Sequence, residues 1–124
     1  MMAKDYFSQW LGIEVLEVKA GSCKLKMSVR NEMLNGFGIA HGGITYSFAD
    51  SALAFASNSH GQKAVSVETS ISHTKSLKEG DMLIAEAVEE HCSNKIAVYS
   101  IKISSHNEVV ALFKGTVYRT SKTW

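Results

Sequence analysis

Asn35-Gly36-Phe37-Gly38-Ile39-Ala40-His41-Gly42-Gly43, running on into Ile44-Thr45-Tyr46-Ser47-Phe48-Ala49-Asp50, decides how this chain is built. A glycine-punctuated loop gives way at one point to an apolar helix. Thr45, Ala49, Ala52, Leu53 and Ala56 recur at helical spacing, and Tyr46, Phe48 and Phe55 make the remaining sides apolar as well. A helix that is apolar nearly all round has to be buried. The pattern predicts a helix over residues 43–59, closed by Gly61.

Outward from that helix the period changes to two. Residues 23–29 alternate, with Leu25, Met27 and Val29 on one face and Lys24, Lys26 and Ser28 on the other. Residues 64–74 also alternate, Val65, Val67, Thr69 and Ile71 against Ser66, Glu68, Ser70 and Ser72. Further strands are expected over 13–18, 82–90, 96–104 and 109–118. Glu79-Gly80-Asp81, Ser93-Asn94 and the hairpin turn His106-Asn107 punctuate them. Residues 3–11 read as a short amphipathic helix with Tyr6, Phe7, Trp10 and Leu11 on one side, stopped by Gly12. Phe7 and Trp10 are expected in the core or in a subunit contact. The order is helix, two strands, loop, long buried helix, four strands. This predicts an α+β hot-dog fold, a curved and mainly antiparallel sheet of about six strands wrapped around one central helix. Such a sheet leaves an open edge and a partly uncovered helix, and pairing two copies edge to edge would cover both.

The chain has 124 residues, 45% of them hydrophobic, which is one domain's worth with enough material for a packed core. Residues 1–124 are therefore read as a single domain. A net charge of +1 gives no argument for nucleic acid or a membrane surface. The N-terminal stretch mixes Lys4 and Asp5 with aromatics and holds no long apolar run, so neither a signal peptide nor a membrane span is expected. Cys23 and Cys92 form no CxxC pattern; they fit buried thiols in a reduced cytoplasmic setting, with a single disulfide as the other reading. His41, His60, His73, His91 and His106 show no HxxxH spacing, no Ser lies in a GxSxG setting, and there is no dinucleotide or phosphate-loop fingerprint. No metal and no cofactor are expected.

The chemistry concentrates where loop meets helix. Gly42 and Gly43 leave backbone N–H groups bare at a helix start, a place that attracts developing negative charge; helix entry alone also calls for small residues. Asn35 is either a turn residue or a polar group in a site. His41 either braces the loop or transfers a proton. Asp50 is an acid in an apolar helix, so it is solvent-facing, paired with a base, or catalytic. Gly42 and Asp50 are eight residues apart, about 12 Å along a helix axis. Reacting groups need to be about 3–3.5 Å apart. If both act on one carbonyl they must come from different chains, with two helices lying antiparallel and two sites per dimer.

The run Met33-Leu34-Asn35-Gly36, His41-Gly42-Gly43, Ser47-Phe48-Ala49-Asp50-Ser51-Ala52 and Ala54-Phe55-Ala56-Ser57-Asn58-Ser59-His60-Gly61 resembles the hot-dog thioesterases of the phenylacetic acid degradation type. The likeness extends to Glu79-Gly80-Asp81 and to Val110-Ala111-Leu112-Phe113-Lys114-Gly115. It implies hydrolysis of an acyl-coenzyme A thioester, with aryl-acyl groups such as hydroxyphenylacetyl favoured. By that likeness Asp50 is nucleophile or general base, Gly42 donates its N–H to the thioester carbonyl, Asn35 positions water or leaving group, and His41 braces the loop. Gly43, Lys75 and Lys78 would contact the substrate. Where relatives often carry Arg-Pro, this chain has Lys75-Ser76, which offers a point charge without the guanidinium fork; both lysines also read as ordinary surface residues. The expected assembly is a homodimer paired further into a homotetramer. Two other readings of the same fold are a hydratase or dehydratase of acyl thioesters, and a non-catalytic acyl-coenzyme A binding module.

Overall fold

Two α-helices and six strands follow one another as α1 (Tyr6–Leu11), β1 (Glu14–Lys19), β2 (Ser22–Ser28), α2 (Gly42–Ser57), β3 (Gln62–His73), β4 (Met82–Cys92), β5 (Ile96–Ser105) and β6 (Glu108–Thr123). The computed structural model describes residues 1–124. All six strands join one antiparallel sheet in the order β1-β2-β4-β5-β6-β3. From β2 the chain passes through α2 to reach the far edge, so α2 crosses the sheet face and packs against every strand.

Phe48, Ala49, Ala52, Leu53 and Ala56 of α2 are buried against Leu25, Met27, Leu83, Ala85, Ile101 and Phe113 of the sheet. Each large apolar side chain buried this way contributes on the order of 1.5–3 kcal/mol. At Gly115 on β6 the helix comes so close that an added Cβ would stand 2.5 Å from Leu53 Cδ2. Tyr46 turns its ring edge-on to Phe113 (centroids 5.5 Å apart) and bonds Thr69 through its hydroxyl. The expected α+β layout of six antiparallel strands and one central helix is thus what the chain adopts. The β5–β6 hairpin turns at His106 and Asn107, both at positive φ (53° and 62°), as a two-residue turn of this hand requires.

Several expectations need correction. The first helix does not run over 3–11: Asp5 interrupts it, accepting from the Ser8 amide at 3.0 Å as the N-cap of α1. Ser8, not Phe7, faces inward, and its hydroxyl links Asp5 (2.7 Å) to Ser51 of α2 (2.7 Å). Tyr6, Phe7 and Trp10 are exposed, Phe7 stacked on Trp10 and Arg30 resting over the Trp10 ring. The alternation expected along β3 is broken by a register shift between Ser66 and Glu68. A one-residue bulge swaps the faces. Ala64 is half-buried before the bulge and Thr69 and Ile71 after it, while Val65 and Val67 are exposed on this edge strand. Cys23 is buried, but Cys92 is exposed and no disulfide joins them. The long helix starts one residue earlier than expected and ends at Ser57, followed by a 3-10 turn over Asn58–His60.

Candidate active site

The loop before α2 is pinned at three places. Leu34 and Ala40 pair across its neck, the His41 amide donates to the Met33 carbonyl at 2.8 Å, and the Ala40 amide donates to Leu77 at 2.7 Å. Inside it, Asn35 Oδ1 accepts from the amides of Phe37 (2.9 Å) and Ile39 (3.4 Å), the turn role open to this residue. Its side-chain nitrogen has no protein partner and is free to donate.

At the helix entrance the two glycines differ. His41 is the N-cap, with extended backbone (φ −60°, ψ 138°), and its Nδ1 accepts the Gly43 amide at 3.1 Å. The Ile44 amide is taken by the His41 carbonyl at 2.9 Å. Gly42 is left with an N–H that no protein atom accepts. It opens into a cavity of about 380 Å³ lined by Asn35, Gly42, Thr45, His73 and Lys75. Of the seven site residues expected from the sequence, Asn35, Gly42 and Lys75 come together there. His41 and Gly43 line a neighbouring depression of about 320 Å³ beside Phe7 and Trp10, and the Gly43 amide is already used. Lys75 Nζ pairs with Glu108 Oε2 at 2.7 Å on the surface. Lys78 lies outside both hollows; its backbone amide donates to Asp81 Oδ2 at 3.0 Å.

Asp50 sits apart, half-buried on α2, against a small hollow of about 80 Å³ formed with Leu53, Ser57, Ala64, Ser66 and Val117. Its carboxylate has no hydrogen-bond partner. Burial pushes its pKa above the ordinary carboxylate value, and the Asp5 charge adds to the effect. Within one chain, then, an unpaired amide and an unpaired carboxylate occupy separate concavities on the same helix. A larger concavity, about 560 Å³, lies elsewhere on the sheet among Ser70, Glu86, Val88, Lys102 and Lys114, and contains none of these residues.

Two residues around Gly42 had no role in the sequence reading. Thr45 Oγ1 donates to the Gly42 carbonyl (3.0 Å) and touches His73 Nδ1 (3.2 Å). His73 reaches the site only because β3 folds back alongside α2, and no local spacing announces it. Another convergence invisible in the spacing lies far from the loop. His60 Nε2 and the Tyr99 hydroxyl both bond Glu89 Oε1 at 2.7 Å, with the Cys92 sulfur close by; ligand atoms of His60, Glu89 and Cys92 lie within 4.8 Å of one another. There the donors and acceptors satisfy each other.

Residues 37–112 match the family described as the Thioesterase superfamily. A protein of Archaeoglobus fulgidus, named as an esterase by inference, is 44% identical over 123 residues, spanning 98% of this chain and 80% of that one. The acyl-coenzyme A thioesterase PaaI of Escherichia coli is 36% identical over 124 residues, spanning 99% and 89%. The solved structure of E. coli PaaI, from the phenylacetic acid degradation operon, superposes with a TM-score of 0.97 over 99% of this chain and 90% of that one. A Streptococcus mutans protein solved bound to acetyl CoA is 26% identical, with a TM-score of 0.87 over 90% of this chain and 91% of that one.

Proposed function

This chain belongs to the thioesterase superfamily, has its hot-dog fold and is a thioester hydrolase, and from that premise we propose that it hydrolyses acyl-coenzyme A thioesters, aryl-acyl ones such as hydroxyphenylacetyl-coenzyme A foremost, to the free acid and coenzyme A. The observation that carries this reading is the Gly42 amide, unpaired at the N-terminus of a 16-residue helix and opening into the cavity it shares with Asn35. A donor fixed in advance at the positive end of a helix stabilises the oxyanion that forms when a thioester carbonyl is attacked. The free amide nitrogen of Asn35, which lines the same cavity, is a second donor, suited to the carbonyl or to the departing sulfur.

Asp50 supplies the other half. A carboxylate without hydrogen-bond donors and with a raised pKa is a better base than a solvated one. In this proposal it takes a proton from water as the oxygen bonds to the acyl carbon, or attacks that carbon itself to give, once the thiolate has left, a mixed anhydride that water hydrolyses to the free acid and the regenerated carboxylate. The tetrahedral intermediate then expels the thiolate of coenzyme A. Asp50 lies too far along α2 to meet a carbonyl held at the Gly42 of its own chain, so the site pairs Gly42 of one protomer with Asp50 of a second copy. The exposed β3 edge, with Val65 and Val67 bare, is suited to such pairing. A homodimer is thus the working unit, with a dimer of dimers as the larger assembly. His41 holds the glycine turn in place. Lys75, and more remotely Lys78, meet the phosphates of coenzyme A. The site needs no metal and no cofactor.

The test is thiol release from a panel of acyl-coenzyme A thioesters (acetyl, hexanoyl, benzoyl, phenylacetyl, hydroxyphenylacetyl), followed with a thiol reagent. The expected result is turnover with the highest kcat/KM on the aryl-acetyl members. Preference for straight-chain acyl groups would overturn the substrate assignment. Binding without release would overturn the hydrolytic one.

A further inference from the structure

His73 ends β3 with its ring in the cavity of Gly42, and the hydrogen bonds around it fix what that ring offers. The Thr45 hydroxyl has one proton, which it donates to the Gly42 carbonyl 3.0 Å away. Both bonds are satisfied together when the Thr45 oxygen accepts from His73 Nδ1 across their 3.2 Å contact, the tautomer that carries its proton on Nδ1. Nε2 is left with a bare lone pair and no protein partner. A β-carbon added at Gly42 would stand 3.4 Å from that nitrogen, so the lone pair lies at the entrance of α2.

The direction of the cavity says which part of a substrate passes this nitrogen. Gly42, His73 and Lys75 line one hollow, with the ammonium of Lys75 out at the surface. A thioester whose carbonyl oxygen rests on the Gly42 amide can send its thiol arm past His73 toward Lys75. Coenzyme A carries an amide N–H two carbons from its sulfur and phosphates at its far end, which matches an acceptor followed by a cation.

We propose that His73 is a specificity residue that touches the substrate: its Nε2 accepts a hydrogen bond from the amide N–H nearest the sulfur of the thiol arm. The proposal rests on the acyl-coenzyme A reading of the site and names the contact that selects the thiol carrier. A site built to pair a substrate N–H discriminates against an analogue that lacks it, because the acceptor is left without a partner.

One acyl group, phenylacetyl, is presented on three thiols: coenzyme A, N-acetylcysteamine, which keeps the N–H, and 2-acetoxyethanethiol, which has oxygen in its place. Wild type is expected to show a KM about tenfold higher for the acetoxy compound than for the N-acetylcysteamine compound, with kcat little changed. His73→Leu should raise KM for the two N–H substrates by about the same factor and add nothing further for the acetoxy compound. His73→Gln, whose side-chain carbonyl accepts, should recover most of the discrimination. Unchanged thermal melting confirms that both variants fold. Indifference of the wild type to the N–H, or an equal loss on all three thiols in His73→Leu, overturns the proposal while leaving the hydrolase reading intact. No thiol release by wild type from any of the three overturns both.

Discussion

His41 Nδ1 accepts the amide proton of Gly43 at 3.1 Å, and in doing so leaves Gly42 as the glycine with a free amide. The imidazole is a helix cap, doing what Asn, Asp or Ser does at most helix starts. Replacing it with alanine, His41→Ala, is expected to cost about 1 kcal/mol of stability, read as a lower urea midpoint with unchanged slope. Activity should fall too, because the Gly42 amide loses its fixed aim. His41→Asn restores a capping oxygen, so it should recover both. Recovery of stability without activity would show that the ring transfers a proton.

Asp50 has the opposite character, a charged group that the fold does not satisfy. Its pKa is raised by burial and by Asp5. A carboxyl that binds its proton more tightly folded than unfolded contributes stability below the unfolded pKa, near 3.8, and that contribution is lost as pH rises through the folded value. At neutral pH the ionised form therefore weakens the protein. Asp50→Asn is expected to melt higher than wild type at pH 7, with the gap closing as pH falls below 3.8, while kcat drops by about a hundredfold or more. If Asp50 is the base, the acid limb of kcat/KM in wild type should lie above the ordinary carboxylate range, since the group must then be ionised. A loss under about tenfold, or 1.4 kcal/mol of barrier, would remove Asp50 from the reaction.

The two thiols should separate cleanly. Cys23 is buried, its sulfur 3.2 Å from the Ala52 carbonyl, and burial pushes its pKa up to about 12. A thiol that does not ionise does not attack. Cys92 is exposed. A disulfide reagent on the native protein at pH 8 should label one thiol per chain, none in Cys92→Ser, and two in wild type once it is unfolded. Rapid labelling of Cys23 in the native state would mean that α2 lifts from the sheet.

Gly115 and Leu53 set how closely α2 approaches β6. A Cβ at Gly115 would meet Leu53 Cδ2 at 2.5 Å and Cγ at 3.2 Å, and Leu53 is fully buried, so its side chain cannot simply swing aside. Gly115→Ala should lose about 1–3 kcal/mol by overpacking. The double variant with Leu53→Val should lose less than the sum of the two singles, because the smaller side chain makes room. Chemical denaturation of the four proteins measures this.

The parts of the molecule that follow local rules were legible in the sequence. Phe48, Ala49, Ala52 and Leu53 announced α2 because a buried helix needs apolar residues on every side, and Leu25, Met27 and Val29 announced the inner face of β2. What escaped depends on long-range or single-atom events. Asp5 ends the first helical turn through a bond to Ser8, which periodicity does not register. The bulge at Ser66 and Glu68 reverses which side of β3 faces in, so Val65 and Val67 are bare and do not share the inward face of Thr69 and Ile71. Among the residues that line the Gly42 cavity, Gly42 and Asn35 stood out by glycine and turn chemistry. His73 was not, because it reaches Gly42 through the pairing of β3 with β6, sixteen residues after α2 ends.

The separation of Gly42 from Asp50 along α2 leads to the most discriminating experiment. Gly42 is the first helical residue, where a proline is tolerated because its missing N–H had no partner in the helix. His41 already has the extended backbone that a following proline demands. Of the three carbons the ring adds, Cβ would stand 3.4 Å from His73 Nε2, at the edge of ordinary van der Waals contact. Gly42→Pro should therefore fold and lose the donor, and its homodimer should be inactive. Asp50→Asn homodimers should be inactive as well. If each site takes one residue from each chain, a mixed dimer holds one site with both defects and one with neither. Equal amounts of the two variants, unfolded together and refolded at random, should regain about a quarter of wild-type kcat per chain. Both variants refolded separately and then mixed without exchange should stay inactive. If the two groups instead acted within one chain, every site in the mixture would carry one defect and no activity would return.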